Sequence, residues 1–576
     1  MVVVEFKNYS FSYLGEKYKA LANINLSIEE GTSVGILGPA GSGKSTLIKA
    51  LSGLVPVEIP GVEEGDIIVN GKNSRELEPL AFSQEVGVVL DKPGTQLLGL
   101  TVFDDCAFGP TNLGLDESEV LKRVEFALSV TRLNGLERRN PEELSGGQQQ
   151  SLAIADILAM RPRVLALDEP VSMLDSEGKE RVMSIVKTLV EEQGSTLVVS
   201  ESGLDLESIA QYLDRLVVLD KGRVVLDGTP REVLTSPVVE EVGVGRPEIT
   251  ELFIKIDRVS KVEEIPYTLE EAESAVRRIL VGGRRKFDAT ASNRSTSQGE
   301  HAIIVENLQH VYPPDVKALD GVSIEILEGE IVGLIGQNGS GKTTLCLHLV
   351  GVLKPSNVNA KVQVFNIDAT KVRMNELIKR INYVFQNPDN MLFQESVERE
   401  LSYGLGMTGV TEDEAASRIK EALVEFDLER HLDTPISELP RDVRTILAIA
   451  CVYVLRPKIL ILDEPTSAMD KQRTQWFIDL VRRLNARGAT ILVVSHNMEL
   501  VAKLCNRLIV MTDGKVILDG PTRDVFSQPD VLVRAKIRPP QITQLAQTLG
   551  EFGFPKDVLS SEEFFNLLYP NGKVAA

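Results

Sequence analysis

Two glycine-rich segments, GPAGSGKST from Gly38 and GQNGSGKTT from Gly336, carry the first legible chemistry in this chain. Each follows the pattern G-x-x-x-x-G-K-[ST] between an apolar run and a helix-forming run. Glycine lets backbone N–H groups wrap a phosphate there, and the helix N-terminus favours an anion. The first cradle is Gly38, Pro39, Ala40, Gly41, Ser42, Gly43, Lys44, Ser45 and Thr46; the second is Gly336, Gln337, Asn338, Gly339, Ser340, Gly341, Lys342, Thr343 and Thr344. Lys44 and Lys342 are expected to reach the β- and γ-phosphates, and the hydroxyls of Ser45 and Thr343 to bind Mg²⁺. Further on, VLALDEP and ILILDEP place Asp168 and Asp463 at the ends of apolar strands, where a carboxylate can hold Mg²⁺ through water. Glu169 and Glu464 follow, placed to act on a nucleophilic water.

The elements that must position these residues are written twice. The phosphate loops are offset by 298 residues and the LDEP strands by 295, so two homologous halves differ by three residues over this stretch. Each half alternates strands and helices, the pattern of an open α/β sheet, and runs such as VLAL, ILIL, TLVVS and ILVVS are continuously apolar, as a parallel sheet covered on both faces requires. The chain is expected to comprise a first unit over 1–235, an appendage over 236–281, a polar linker over 282–300, a second unit over 301–526 and a C-terminal extension over 527–576. RPEITELF from Arg246 and RPPQITQLA from Arg538 suggest that the appendages are repeated as well.

The phrase LSGGQQQ, Leu144 to Gln150, upstream of VLALDEP identifies the chain as similar to the ATP-binding cassette ATPases over nearly its whole length, with two cassettes in one polypeptide. The resemblance implies two P-loop nucleotide-binding domains with central parallel sheets, helical subdomains and small C-terminal appendages, using ATP and Mg²⁺. It implies head-to-tail pairing, with each nucleotide between the phosphate loop of one cassette and the signature of the other, here Ser145, Gly146, Gly147 and Gln148. It also supplies an aromatic that stacks on adenine, matched by Tyr13 and Tyr312, a glutamine that helps hold the metal, matched by Gln386, and a histidine after the last core strand, matched by His496.

Subtracting 295 shows where the copies disagree. Gln386 corresponds to Asp91 and His496 to Glu201, whereas Ser145, Gly146 and Gly147 correspond to Pro440, Arg441 and Asp442. A serine hydroxyl and glycine N–H groups at a helix tip can donate to a γ-phosphate; proline has no N–H, arginine adds bulk and Asp442 adds a like charge. Likewise His496 can donate to a transferring phosphoryl group that ionised Glu201 would repel. Under head-to-tail pairing every defect falls into one site. The intact site combines Lys342, Thr343, Gln386, Asp463, Glu464 and His496 with Ser145, Gly146 and Gly147, and is expected to hydrolyse ATP. The degenerate one combines Lys44, Ser45, Asp91, Asp168, Glu169 and Glu201 with Pro440, Arg441 and Asp442, and is expected mainly to hold nucleotide. Asp175 and Asp470 are expected to pass information between the two.

The bulk properties bear on partners. The 576 residues are 43% apolar and 25% charged with a net charge of −21, the composition of a globular protein that repels nucleic acid. The longest uncharged apolar run, Ile446 to Leu455, is too short to span a membrane, and the N-terminus has no signal pattern, so a cytosolic protein is expected. Cys106, Cys346, Cys451 and Cys505 lack metal-ligand spacing and read as small buried hydrophobes. The stretch NPDNMLFQESVERELSYG after Gln386 resembles the energy-coupling factor class. There, a paired ATPase module lies on the cytoplasmic face of the membrane, bound to a transmembrane scaffold protein that holds a substrate-capture protein for a vitamin or a metal ion. Met391, Leu392 and Phe393 are expected to receive short scaffold helices. A conventional importer ATPase and a soluble twin-cassette ATPase acting on ribosomes or DNA are the alternatives; the acidic balance argues against the latter.

Overall fold

The computed structural model describes all residues except 17, 172, 173, 175, 190–194, 203–205, 282–298, 314, 468 and 571–576. Asp175 and nearly all of the expected linker lie outside the described residues. The chain forms two compact units, Met1–Val276 and Arg277–Ala576.

In the first unit, six strands run in the order Arg223–Gly228, Arg215–Asp220, Ser33–Leu37, Thr196–Glu201, Val164–Asp168 and Val86–Val89. All neighbours are parallel except Arg223–Gly228, which pairs antiparallel with Arg215–Asp220. Ser33–Leu37, Val164–Asp168 and Thr196–Glu201 are buried at every residue, which is why their sequences are apolar without alternation. The second unit repeats the order with Lys515–Pro521, Arg507–Thr512, Ile331–Ile335, Thr490–Val494, Ile459–Asp463 and Ile381–Val384.

Each unit also carries a second sheet, of four antiparallel strands: Leu21–Glu29, Val2–Tyr13, Gly61–Val69 and Lys72–Asn73 in the first, Val316–Leu327, His301–Tyr312, Lys361–Val364 and Ile367–Asp368 in the second. The expected central parallel sheets are therefore joined by antiparallel ones. Burial alternates along Asp320–Leu327, so these strands bury one face and leave the other wet. Phe11, Leu21, Ile36 and Leu47 share one core of the first unit, beneath this sheet.

Three helices gather in a second core on the far side of the parallel sheet: Val102–Asn112, Glu117–Val130 and Gly146–Met160, with Val397–Gly406, Glu412–Glu425 and Arg441–Tyr453 as the counterparts. Thr101, Asp116 and Ser145 cap the first three through their side chains. Pro440 gives its helix no such cap, a loss of about 1 kcal/mol.

The appendages repeat in detail. Thr250 donates to Pro266 O at 3.0 Å and Thr543 to Val558 O at 2.6 Å. Arg231 pairs with Glu271 at 2.7 Å, and Arg523 with Glu563 at 2.8 Å. Cys106, Cys346 and Cys505 are buried and Cys451 is half-buried, all as free thiols. Among the described residues no helix is long and apolar enough to cross a membrane.

Candidate functional site

Each phosphate loop links a buried strand to an eight-residue helix, Lys44–Leu51 or Lys342–Leu349, with a left-handed glycine at the N-cap. Gly43 has φ 104° and Gly341 φ 99°; a Cβ would lie 2.6 Å from Ala20 O or 2.5 Å from Ala318 O. Only glycine fits both the backbone angle and this close approach. Lys342 Nζ donates to the carbonyls of Gly336 at 2.7 Å and Gln337 at 2.9 Å. Lys44 does the same to Gly38 at 2.8 Å and Pro39 at 3.2 Å. The buried hydroxyls of Ser42 and Ser340 have no hydrogen-bond partner among the described residues. Orphan donors inside a loop of backbone N–H groups fit a phosphate.

Beside each loop lies an oxygen set for a hard cation. Thr343 Oγ1 donates to Asp463 Oδ2 at 3.3 Å, and Ser45 Oγ to Asp168 Oδ1 at 3.2 Å. A hydroxyl beside a buried carboxylate is a donor set that suits Mg²⁺. Burial pushes the Asp463 carboxyl up to about 6, opposed by the hydrogen bond from Tyr383. Burial also raises Asp168, opposed by Ser200 and Ser45, with the charge of Asp91 adding to the rise. Tyr383 opens the phrase YVFQNP that carries Gln386, but nothing in its residue type says that its hydroxyl turns to Asp463; its counterpart is Val88. Gln386 itself is exposed and makes no hydrogen bond among the described residues, and Asp91 is exposed likewise.

The glutamates differ most between the copies. Both Glu169 and Glu464 sit in the left-handed region, at φ 45° and 46°, a strained conformation for a side-chain-bearing residue held by the turn after the strand. Glu464 Oε1 meets His496 Nδ1 at 2.7 Å, and Oε2 accepts from Ser495 at 3.2 Å. The histidine and glutamate, expected to act separately, are bonded to each other, and Ser495 completes the arrangement. In the first unit Glu169 instead lies 3.8 Å from Lys44. Ser200, the counterpart of Ser495, bonds Asp168. Glu201 is buried at the end of its strand, where Ser202 donates to it at 3.3 Å.

Ser145 is an exposed helix cap: its Oγ accepts from Gln148 N at 3.3 Å while Gln148 Oε1 accepts from Ser145 N at 3.0 Å. Gln148 is thus occupied by the cap. Gly146 is exposed, whereas Gly147 packs so closely that a Cβ would come within 2.9 Å of Gly178. At the counterpart tip Pro440 is exposed and Arg441 half-buried. Asp442 corrects the expectation of an outward like charge: it is buried, its carboxyl is raised by burial, and Arg473 lies 3.6 Å away. Asp470 caps the helix Lys471–Ala486 by accepting from Arg473 N.

The hydroxyls of Tyr13 and Tyr312 lie 3.0 and 3.4 Å from those of Thr46 and Thr344. Met391 and Leu392 pack against their own core, so of the three residues expected to face a partner only Phe393, 62% exposed and edge-on to Tyr403, points outward. Glu400 holds that loop by accepting from Phe393 N and Gln394 N, both at 2.8 Å. Asp105 does the same for Leu98 N and Gly99 N, both at 3.0 Å.

The profile of the family described as ABC transporter matches residues 21–172 and 319–467. A candidate ABC transporter ATP-binding protein of Caldanaerobacter subterraneus is 36% identical over 563 residues, covering 97% of both chains. One from Methanosarcina mazei is 36% identical over 563 residues, covering 96% of this chain and 94% of its own. An archaeal ribosome recycling factor, solved with a ribosomal stalk protein, shares the fold at a TM-score of 0.56 and 21% identity, covering 91% of this chain and 92% of its own. With both cassettes matched and relatives aligned along nearly the whole length, the chain belongs to the ATPases of the ABC transporter family.

Proposed function

We propose that this chain is the energy-coupling ATPase of a membrane transporter, of the energy-coupling factor type that takes up a vitamin or a metal ion. It has one hydrolytic and one mainly nucleotide-holding site. One observation carries the asymmetry: Glu464 is flanked by His496 and Ser495, while Glu169 lies beside Lys44 and has no histidine near its strand end. The sequence adds the converse defect, since only the first cassette keeps a Ser-Gly-Gly helix tip.

In the competent site Lys342 exchanges its loop carbonyls for phosphate oxygens, and the orphan Ser340 hydroxyl and loop N–H groups bind the phosphate chain. Thr343 and Asp463 would hold Mg²⁺, which when bound would supply positive charge to the phosphate chain. Glu464 orients a water and accepts its proton. While Nδ1 donates to Glu464, a neutral His496 offers Nε2 only as an acceptor, so donation to a phosphoryl oxygen requires the other tautomer or the imidazolium. Donation to nucleotide therefore requires the His496–Glu464 hydrogen bond to rearrange. Ser145, Gly146 and Gly147 of the first cassette supply the opposing donors, and loss of the γ-phosphate releases them.

Phe393 and the loop held by Glu400 offer the apolar contact for a transmembrane scaffold protein, which would keep the chain on the cytoplasmic face and carry the substrate-capture protein. The net charge of −21 disfavours a ribosomal or DNA partner. Two measurements test the proposal. Glu464→Gln should lower turnover about 100-fold or more, while Glu169→Gln keeps most of it; equal losses contradict the asymmetry. Co-purification of ribosomal RNA or DNA instead of membrane protein contradicts the transport role.

A further inference from the structure

The first unit contains a cleft of about 490 Å³ above its phosphate loop, lined by Tyr13, Tyr18, Lys19 and Lys221 as well as the loop itself. A cleft of this size suits a nucleotide. The Tyr13 hydroxyl is tied to Thr46 on the loop's helix, which fixes the edge of that ring. Tyr18 is 64% exposed, a large aromatic surface left open at the mouth.

The same close contacts in the second unit identify the counterparts. Ala20 O is approached by Gly43 and Gly222 just as Ala318 O is by Gly341 and Gly514. Tyr18, two residues before Ala20, therefore corresponds to Val316, two before Ala318. Lys221, before Gly222, corresponds to Asp513, before Gly514, and both have left-handed backbones, at φ 46° and 48°. The mouth of the first site thus has a second aromatic and an added cation where the second has an aliphatic and an anion.

We propose that Tyr18 is a second stacking surface for the base at the first site and Lys221 an electrostatic anchor for the phosphates, so that this site retains nucleoside triphosphate while the second, with Val316 and Asp513, releases it. This rests on reading the first site as mainly nucleotide-holding and supplies its physical cause. Stacking uses the face of the base and not its edge, so retention should be similar for ATP and GTP.

The test uses the full chain with one site silenced at a time: Lys342→Ala to read the first site and Lys44→Ala to read the second. Each is loaded with radiolabelled Mg·ATP or Mg·GTP in the cold, and release is followed after rapid gel filtration. Tyr18→Val should speed release from the first site about tenfold for both nucleotides, an effect of the size of one lost stacking contact. Tyr18→Phe should leave it nearly unchanged, and Lys221→Asp should speed it in a salt-dependent way. Val316→Tyr should slow release from the second site, a gain that misfolding cannot mimic. Unchanged release in both Tyr18→Val and Val316→Tyr would overturn the proposal. Equal turnover losses in Glu464→Gln and Glu169→Gln would instead overturn the asymmetric reading beneath it.

Discussion

Replacing His348 with glutamine removes a buried ring that resists protonation. His348 and His310 lie beneath Tyr312: His348 Nε2 and His310 Nδ1 are 3.0 Å apart, and the His310 ring meets Tyr312 edge-on at 4.5 Å. The first unit has Phe11 and Ala50 at these places, with Phe11 edge-on to Tyr13 at 5.1 Å. Burial, helped by His310, pushes His348 down to about 4. The unfolded chain takes up this proton near pH 6.5 and the folded one only near 4, so the unfolded state is favoured as pH falls through that window. The cost is about 2 kcal/mol at pH 5 relative to pH 8, and it levels off near 3 kcal/mol below pH 4. Glutamine keeps an N–H able to meet His310 Nδ1 but does not titrate. Calorimetry of the nucleotide-free chain at pH 8 and pH 5 should show the second unit's transition falling by about 4–8 °C less in His348→Gln than in the parent. An identical pH dependence in the two chains would refute the reasoning.

Two further substitutions probe contacts invisible in the motifs. Tyr383→Phe takes one donor from Asp463, a charge-assisted bond worth about 1.5–3 kcal/mol, so turnover at limiting Mg²⁺ should fall about tenfold or more with a smaller loss at saturating Mg²⁺; equal losses at both would count against it. Glu400→Gln weakens acceptance from Phe393 N and Gln394 N, so hydrogen exchange at these two amides should quicken about tenfold, and unchanged protection would show that the carboxylate does not hold the loop.

The phosphate loops and the LDEP strands are legible in the sequence because their residue types are forced: a left-handed glycine against Ala318 O, and strands buried on both faces. The antiparallel sheets are harder to read, since Val2–Tyr13 carries bulge-like register shifts that break the alternation a reader would look for. Tyr383 and Ser495 sit inside quoted runs without a role legible from residue type, because their placement depends on strands Ile381–Val384 and Thr490–Val494 flanking Ile459–Asp463. Met391, Leu392 and Phe393 show the limit of composition: three consecutive apolar residues divide between core and surface only once the turn before them is fixed. Asp442 shows the same for charge, because Arg473, which offsets it, is distant in sequence.

Cross-cassette sharing of the signature is most directly tested by the distance from Ser145 Oγ to the γ-phosphate of the nucleotide bound by Lys342, measured in a Glu464→Gln chain crystallised with Mg·ATP. A separation of about 3 Å, a direct hydrogen bond, is the result expected. Ser145 remote from that phosphate, with Pro440 and Arg441 against it instead, would contradict the account.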